Sequence, residues 1–247
     1  MALPIDGMAF DVGNTLILDP FEKVLDRKSL EMRQVFSRFG YNFTVKEIKD
    51  AWTEANRKVD YAFICHFYQE APVVSHCLEI LKVEKAKRPE ISTELLIVYR
   101  NGLKSVIMAD DRLTSMKRVL YELRKAGKRL VVFSNGRQKS IELLLQWTGL
   151  REYFHFVSTS EKTGIEKPDQ KAFNYILKTL ATRKERSMYI GDDMNNDISP
   201  AKEAGMKACL YVPLHRVSTP WRNYDAKSRT RPDATISKFD ELLQIVK

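Results

Sequence analysis

Alternation of apolar runs with helical segments over residues 114–246 constrains the fold of this chain more than any other feature of its sequence. The predicted elements, in chain order, are a helix at 114–126 that stops at Gly127, a strand at Arg129–Phe133, a helix at Lys139–Trp147, a strand at His155–Ser158, a helix at Pro168–Leu180, a strand at Met188–Ile190, a helix at Ile198–Ala204, strands at Lys207–Val212 and Ala234–Ile236, and a terminal helix capped by Ser237. Strands that alternate with helices in this way form parallel sheets with helices on both faces. We therefore expect an α/β domain.

The first predicted strand is separated from the others by a long stretch of helical character. Met8–Phe10 is apolar and ends at the carboxylate of Asp11, whereas residues 19–105 carry helix signals and little strand character. Those signals are Pro20 as a first helical residue, a stop at Gly40, a capping box of Thr44 and Glu47 ahead of a helix from Val45 towards Tyr68, and helix starts at Pro72 and Ser92. The expected layout is a three-layer, Rossmann-like core at 1–18 and 106–247, interrupted by an all-helical domain at 19–105.

Composition excludes membrane and disulfide-rich classes. The chain has 247 residues, of which 44% are hydrophobic, but no apolar run approaches the roughly 18 residues that a membrane span needs. The first ten residues, MALPIDGMAF, lack the basic start and apolar core of a secretory signal. Cys65, Cys77 and Cys209 are too few and too scattered for a disulfide framework. These features predict a reduced, cytoplasmic protein that does not bind membranes.

The formal net charge of +9 does not by itself indicate a nucleic-acid partner. Part of the excess lies in a stretch near the C-terminus that is interrupted by prolines and has no helical stripe, at Arg216, Arg222, Lys227, Arg229 and Arg231. That pattern favours a solvated loop over a nucleic-acid patch, and an anionic small substrate is equally compatible with the charge. Nothing in the sequence indicates an oligomeric state.

Two cysteine–histidine pairs, Cys65-His66 and His76-Cys77, invite a zinc interpretation. They are separated by Pro72 and match no standard ligand spacing. Buried cysteines and packed histidines in the helical domain are the favoured interpretation.

Polar side chains follow each predicted strand at the point where it ends. The set is Asp11, Gly13 and Thr15, then Ser134 and Asn135, then Lys167, and finally Asp192, Asp193 and Asp197. Because the carboxyl ends of parallel strands meet at one edge of a sheet, we expect these groups to converge. Several carboxylates cannot share a buried site without a cation. Hard oxygen ligands with open positions suit Mg²⁺ bound together with a substrate phosphate.

Four segments carry a family resemblance. "FDVGNTL", "VVFSNG", "GIEKPD" and "YIGDDMNNDI" resemble, in order, the four motifs of the haloacid dehalogenase superfamily. The resemblance implies that Asp11 is the nucleophile and that Ser134 binds the transferred phosphoryl group. It further implies that Lys167 neutralises the nucleophile and the phosphoryl oxygens, and that Asp192 binds Mg²⁺.

The same resemblance assigns the remaining residues of the set. The main-chain carbonyl of Gly13 corresponds to a Mg²⁺ ligand, and Asp197 is expected to bind or orient the lysine and the metal waters, with Asp193 as the alternative ligand. Thr15 and Asn135 complete the candidate substrate-binding residues. The helical stretch at 19–105 matches the cap domain that some members place between the first two motifs.

Gly13 departs from the pattern. Phosphatases of this superfamily usually carry a second aspartate there, which protonates the leaving oxygen and then activates water. General acid–base catalysis contributes about 10²–10⁴-fold, and glycine cannot supply it. The sequence therefore predicts a Mg²⁺-dependent phosphatase that acts on a small phosphorylated metabolite and prefers good leaving groups.

Three alternatives remain open from the sequence. A carbon–halogen hydrolase would also lack the second aspartate, but dehalogenases of the superfamily use no Mg²⁺ and have a less acidic fourth motif. A phosphonate hydrolase would need a lysine of the cap to form a Schiff base, for which Lys46, Lys49 and Lys58 are available. A non-catalytic binding protein would explain Gly13 as lost catalysis. A further hypothesis gives the missing acid to a cap histidine, His66 or His76.

Overall fold

The computed structural model describes residues 2–59, 70–213 and 230–247. Within them, six strands form one parallel sheet: β1 Gly7–Phe10, β2 Arg129–Ser134, β3 Phe156–Thr159, β4 Ser187–Gly191, β5 Lys207–Tyr211 and β6 Ala234–Ile236. The strand order is β3-β2-β1-β4-β5-β6, with every neighbouring pair parallel. Successive strands run outward on one side of β1 and then on the other, so the order reverses at β1. The predicted α/β, Rossmann-like fold is confirmed.

The chain divides into two compact units, Met1–Asp19 together with Asp110–Lys247, and Pro20–Ala109. The described part of the second unit is helical, with α1 at Phe21–Arg38, α2 at Val45–Lys58, α3 at Glu70–Ile80, a 3-10 turn at Lys85–Lys87 and α4 at Arg88–Met108. The helical unit ends at Ala109, four residues beyond the expected boundary at 105, because α4 continues to Met108. That this unit serves as a cap stays a prediction.

Two features of the helical unit test the sequence signals directly. The capping box is confirmed, since Glu47 N donates to Thr44 Oγ1 at 3.2 Å and Thr44 N donates to Glu47 Oε2 at 2.8 Å. The predicted start at Ser92 is wrong, because α4 begins at Arg88 with Pro89 in its first turn, where a missing N–H costs nothing. The predicted extension of α2 from Lys58 to Tyr68 falls mostly on residues 60–69, outside the described residues.

The helices of the sheet-containing unit follow the predicted order. They are α5 at Arg112–Lys125, α6 at Gln138–Thr148, α7 at Ser160–Thr163, α8 at Gln170–Leu180, α9 at Ser199–Glu203 and α10 at Leu242–Ile245, with 3-10 turns at Arg151–Tyr153, Lys184–Arg186 and Phe239–Glu241 and a π-helical turn at Met194–Ile198. The helix predicted at 198–204 is confirmed as α9, and the π-helical turn at Met194–Ile198 before it was not predicted. Ser237 does not cap the last helix as predicted, because its hydroxyl donates to the side chain of Glu241, the last residue of the 3-10 turn.

The sheet is buried on both faces. All four residues of β1 and all five of β4 are buried, and a core cluster packs Ala9 and Val131 of the sheet against Phe173 and Ile176 of α8. Burial on both faces explains why these strands read as continuous apolar runs instead of alternating. In the described parts of the chain, no helix combines the length and apolar character needed to cross a membrane.

Candidate active site

The turn after β1 places Asp11 at the point where the strand order reverses. Asp11 N donates to Ile190 O at 2.9 Å, which continues the pairing of β1 with β4. The chain then folds back through bonds from Ile17 N to Val12 O at 2.9 Å and from Asn14 N to Ile17 O at 2.7 Å. Asn14 has a φ of 53°, a left-handed conformation that asparagine tolerates. Ligands of open α/β sheets bind at such a switch point.

A buried lysine joins two of the predicted acids. Lys167 Nζ lies 2.9 Å from Asp11 Oδ1 and 2.5 Å from Asp197 Oδ1. Its third contact is the hydroxyl of Tyr189, at 2.8 Å. The exposed fraction of each of these four residues is 4% or less. The three loops that carry Asp11, Lys167 and Asp197 therefore converge as the sequence predicts.

The two carboxylates stabilise the charged form of Lys167. Burial alone would lower the pKa of Lys167, but the carboxylates of Asp11 and Asp197 outweigh it and hold that pKa well above its ordinary value. Burial raises the pKa of the Tyr189 hydroxyl well above its usual range, although Lys167 opposes the shift. At neutral pH the lysine is thus a fixed cation beside the predicted nucleophile, and the tyrosine is a neutral phenol.

Asn135 fixes the main chain of Lys167 from both sides. Its Nδ2 donates to Lys167 O at 2.7 Å, and its Oδ1 accepts from Lys167 N at 2.8 Å. The amide group of Asn135 is therefore used to position Lys167. Direct contact of Asn135 with a substrate stays a prediction.

The three acids of the fourth motif have different surroundings. One carboxylate oxygen each from Asp11, Asp192 and Asp197 lie within 4.8 Å of one another, close enough for one metal ion. Asp193 instead caps the π turn, where Oδ1 accepts from Asn195 N at 2.8 Å and from Asn196 N at 3.1 Å. This geometry favours Asp192 and Asp197 over Asp193 as metal-site residues.

The donor set fits Mg²⁺. Three buried carboxylates face one ammonium group, so the cluster carries excess negative charge that a cation would balance. Carboxylate oxygens are the ligands that Mg²⁺ prefers, and it commonly keeps positions for water and substrate phosphate. Asp11 and Asp192 would hold the ion, with Asp197 beside them. The carbonyl of Gly13 as a further ligand stays a prediction.

Two hydroxyl groups lie at the same edge of the sheet. Ser134 is buried at the end of β2, and Thr15 is fully buried in the turn after β1. Among the described residues, Thr15 Oγ1 finds no hydrogen-bond partner. Substrate binding by Ser134 and Thr15 stays a prediction.

Comparison with known proteins identifies the family. The family model for haloacid dehalogenase-like hydrolases matches residues 5–205. The chain belongs to that hydrolase family. The predicted membership of that family is thereby confirmed.

Two curated relatives of this HAD-like hydrolase are named as phosphatases. The chain is 30% identical over 242 residues to the ribulose-1,5-bisphosphate 5-phosphatase of Halopiger xanaduensis, and the match covers 96% of this chain and 97% of that protein. It is 32% identical over 160 residues to the glyceraldehyde 3-phosphate phosphatase of Methanocaldococcus jannaschii. The latter match covers 64% of this chain and 65% of the relative, just under two thirds of its length.

A solved structure shows the same fold. The HAD hydrolase YfnB from Bacillus subtilis, in a form bound to magnesium, is similar with a TM-score of 0.63 and 22% sequence identity, over 99% of each chain. At this identity the likeness concerns the fold alone.

Sequence reasoning missed two residues that support the site of this HAD-like hydrolase. Tyr189 lies inside an apolar strand, and the one available signal was its hydroxyl, which needs a partner when buried. Arg112 follows the helical unit in sequence and binds the turn after β1. Its guanidinium group donates to Thr15 O at 3.3 Å and Leu16 O at 3.4 Å, and it pairs with Asp110 at 2.7 Å.

Among the described residues, Cys77 and His76 do not belong to a group that could hold a metal ion. Cys77 is buried, and burial raises its pKa to about 12, which keeps the thiol protonated. The side chain of His76 is 39% exposed and lies 3.4 Å from Glu79 Oε2. Cys65 and His66 lie outside the described residues.

Most of the basic C-terminal stretch, at Arg216, Arg222, Lys227 and Arg229, also lies outside the described residues.

The three lysines considered for a Schiff base form ion pairs on α2. Lys46 pairs with Asp50 at 2.6 Å, Lys49 pairs with Asp26, and Lys58 lies 4.0 Å from Glu54. The hydrogen bond to Asp50 raises the pKa of Lys46, whereas an amine that attacks a carbonyl needs a lowered pKa. These surroundings count against a phosphonate hydrolase.

Replacing Gly191 with alanine should weaken the site by displacing Asp197. A Cβ at this position would lie 2.6 Å from Asp197 Cβ, far inside the distance at which unbonded carbons meet. Because a misplacement of about 1 Å can cost about 10²-fold, we expect a fall in turnover of that order. The measurement is turnover against Mg²⁺ concentration. Gly7→Ala is the control, since a Cβ there would lie 2.5 Å from Thr182 Oγ1, a comparable clash at the end of β1 opposite to Asp11; equal loss in both variants would contradict the prediction.

Proposed function

We propose that this HAD-like hydrolase is a Mg²⁺-dependent phosphatase that hydrolyses a small phosphorylated metabolite through an aspartyl-phosphate on Asp11. The observation that carries the proposal is the buried contact of Lys167 Nζ with both Asp11 and Asp197, beside the third carboxylate, Asp192. A carboxylate that attacks a phosphate ester must approach an anion. A fixed cation at the nucleophile lowers that repulsion.

The chain's own residues support two displacement steps. In the first, an oxygen of Asp11 forms a bond to phosphorus and the ester bond breaks, so the leaving group departs with the bonding electrons. In the second, water attacks the same phosphorus, the bond from phosphorus to Asp11 breaks, and inorganic phosphate leaves while the proton of the water passes to solvent. Lys167 stabilises the phosphoryl oxygens throughout, and Ser134 and Thr15 donate hydrogen bonds to them. Mg²⁺, when bound, supplies further neutralisation of the phosphoryl charge.

Gly13 decides which substrates react fast. It has no side chain to protonate the departing oxygen or to deprotonate the attacking water. Leaving groups that are stable as anions, such as carboxylates and phenolates, need no proton. We therefore propose a preference for acyl and aryl phosphates over alkyl phosphates.

The comparisons and the site both favour phosphate esters over the alternatives. The curated relatives are named as phosphatases of small sugar phosphates, which supports a small phosphorylated metabolite as the substrate. A carbon–halogen hydrolase would not need the cluster of three carboxylates that fits a cation.

Hydrolysis of three substrates with and without Mg²⁺ tests the proposal. Acetyl phosphate and p-nitrophenyl phosphate should be hydrolysed, glycerol 1-phosphate should react slowly, and EDTA should abolish all three activities until Mg²⁺ is restored. Absence of turnover on all three substrates would contradict the proposal. Phosphonoacetaldehyde, haloacids and direct Mg²⁺ binding would then separate the other hydrolases from a binding protein.

A further inference from the structure

The ammonium group of Lys167 has three N–H donors, and each has its own acceptor. Two of the acceptors are carboxylates, Asp11 Oδ1 at 2.9 Å and Asp197 Oδ1 at 2.5 Å. The third is the hydroxyl of Tyr189 at 2.8 Å, which itself donates to Phe133 O at 3.0 Å. We propose that Tyr189 is a positioning residue that fixes the ammonium group of Lys167 and links it to the end of β2. This inference rests on the proposed function in so far as Lys167 stabilises the phosphoryl group.

The direction of these hydrogen bonds defines what the hydroxyl does. A phenol has one proton, and Tyr189 gives it to Phe133 O. Only lone pairs of the hydroxyl therefore face Lys167, so the contact holds the ammonium group in one rotational state. An acceptor with a fixed direction is what a three-donor group needs to be aligned.

The second bond of Tyr189 reaches the neighbouring loop. The carbonyl of Phe133 and the N–H of Ser134 belong to the same planar peptide group. Fixing that carbonyl therefore fixes the plane that leads into Ser134, which is the proposed phosphoryl-binding residue. One buried hydroxyl thus aligns two groups that must contact the same phosphoryl oxygens.

A neutral acceptor is better suited to this position than a third acid. Lys167 already contacts two carboxylates, and another anion would add to the repulsion of an incoming phosphate. A phenol accepts more weakly than a carboxylate. Tyr189 therefore aligns the ammonium group of Lys167 without adding negative charge beside Asp11.

The test compares Tyr189→Phe with Tyr175→Phe. Tyr175 is a matched control because its ring packs against Phe133 with centroids 6.0 Å apart, and its hydroxyl bonds to Ser158 Oγ at 2.9 Å and not to Lys167. We expect Tyr189→Phe to lower kcat on acetyl phosphate about tenfold, since a hydrogen bond to a charged group is lost. KM should change by less than about twofold, as expected when ground-state binding is retained. Tyr175→Phe should change neither.

A second readout does not depend on activity. In ¹H–¹⁵N spectra of protein labelled at lysine Nζ, a buried ammonium with three acceptors exchanges slowly with water. Among the described residues Lys167 is the only buried lysine, so wild type should show one protected ammonium signal. Tyr189→Phe should speed its exchange, and Tyr175→Phe should not.

Several results would overturn the inference. They are an unprotected ammonium in wild type, an unchanged signal or kcat in Tyr189→Phe, and an equal loss of kcat in Tyr175→Phe. The wild-type spectrum keeps the inference testable even if Tyr189→Phe does not fold. If wild type hydrolyses no phosphate ester, the proposed function fails, and the spectra still decide whether Tyr189 holds Lys167.

Discussion

Replacing Gly13 with aspartate should raise the rate of alkyl phosphate hydrolysis by about 10²–10⁴-fold, the usual contribution of general acid–base catalysis. The new carboxyl group would lie two residues after Asp11, where it can protonate the leaving oxygen and then deprotonate water. The kcat/KM for acetyl phosphate should rise less, because its leaving group needs no proton and kcat/KM reports only the steps up to the departure of the leaving group. The measurement is kcat/KM for glycerol 1-phosphate and acetyl phosphate in wild type and Gly13→Asp.

The backbone conformation at position 13 does not require glycine. Gly13 is only half-buried, and the described glycines with a positive φ, at positions 40, 127, 149, 164 and 205, do not include it. The left-handed residue of the turn is Asn14, whose Oδ1 accepts from Asp19 N at 2.9 Å. The shape of the turn therefore does not depend on glycine at position 13 through a positive φ.

Gly13→Asn is the matched control for this gain of activity. Asparagine has the size of aspartate but neither donates nor accepts a proton as an acid–base group, so no gain is expected. An equal gain in both variants would show that the side chain acts by packing. An unchanged rate in Gly13→Asp would contradict the proposal that the missing carboxyl group at this position limits alkyl phosphate hydrolysis.

The sequence predicts the fold well because the sheet is buried on both faces. Short, continuous apolar runs separated by helical segments are typical of buried parallel strands, so β1, β2 and β4 can be assigned from the sequence. The ends of helices are less well determined, since they depend on local bonds. Pro89 allows α4 to begin four residues before Ser92, and the side chain of Asp193 caps a π turn at Met194–Ile198 that the sequence did not predict.

The sequence predicts which residues lie together at the site, but not which hydrogen bonds each of them makes. Asp11, Lys167 and Asp197 lie at one edge of the sheet because each belongs to a connection that leaves the carboxyl end of a parallel strand. These strands are β1, β3 and β4. The bond of Asn135 to the main chain of Lys167 joins positions 32 residues apart, and no local pattern encodes it. Tyr189 was missed for a related reason: in an apolar strand a tyrosine is indistinguishable from a core residue until the partner of its hydroxyl is known.

Replacing Asp11 with asparagine should lower the hydrolysis of acetyl phosphate by more than about 10⁴-fold, as is typical when the nucleophile of a covalent mechanism is removed. Asparagine keeps an oxygen that can accept from Lys167 Nζ, which lies 2.9 Å from Asp11 Oδ1. The fold and the position of the lysine should therefore be retained. What is lost is the anionic oxygen that forms the bond to phosphorus.

The covalent intermediate gives this prediction a direct readout. Without a base at Gly13 the aspartyl-phosphate should hydrolyse slowly, so wild type quenched in acid after mixing with acetyl phosphate and Mg²⁺ should carry one phosphoryl group by intact mass. Asp11→Asn should carry none, and Gly13→Asp should carry less than wild type because its intermediate is hydrolysed faster. Asp169→Asn is the matched control, since that exposed carboxylate caps α8 by accepting from Lys171 N and asparagine caps equally well. Phosphorylation that persists in Asp11→Asn would place the covalent step on another residue and reject Asp11 as the nucleophile.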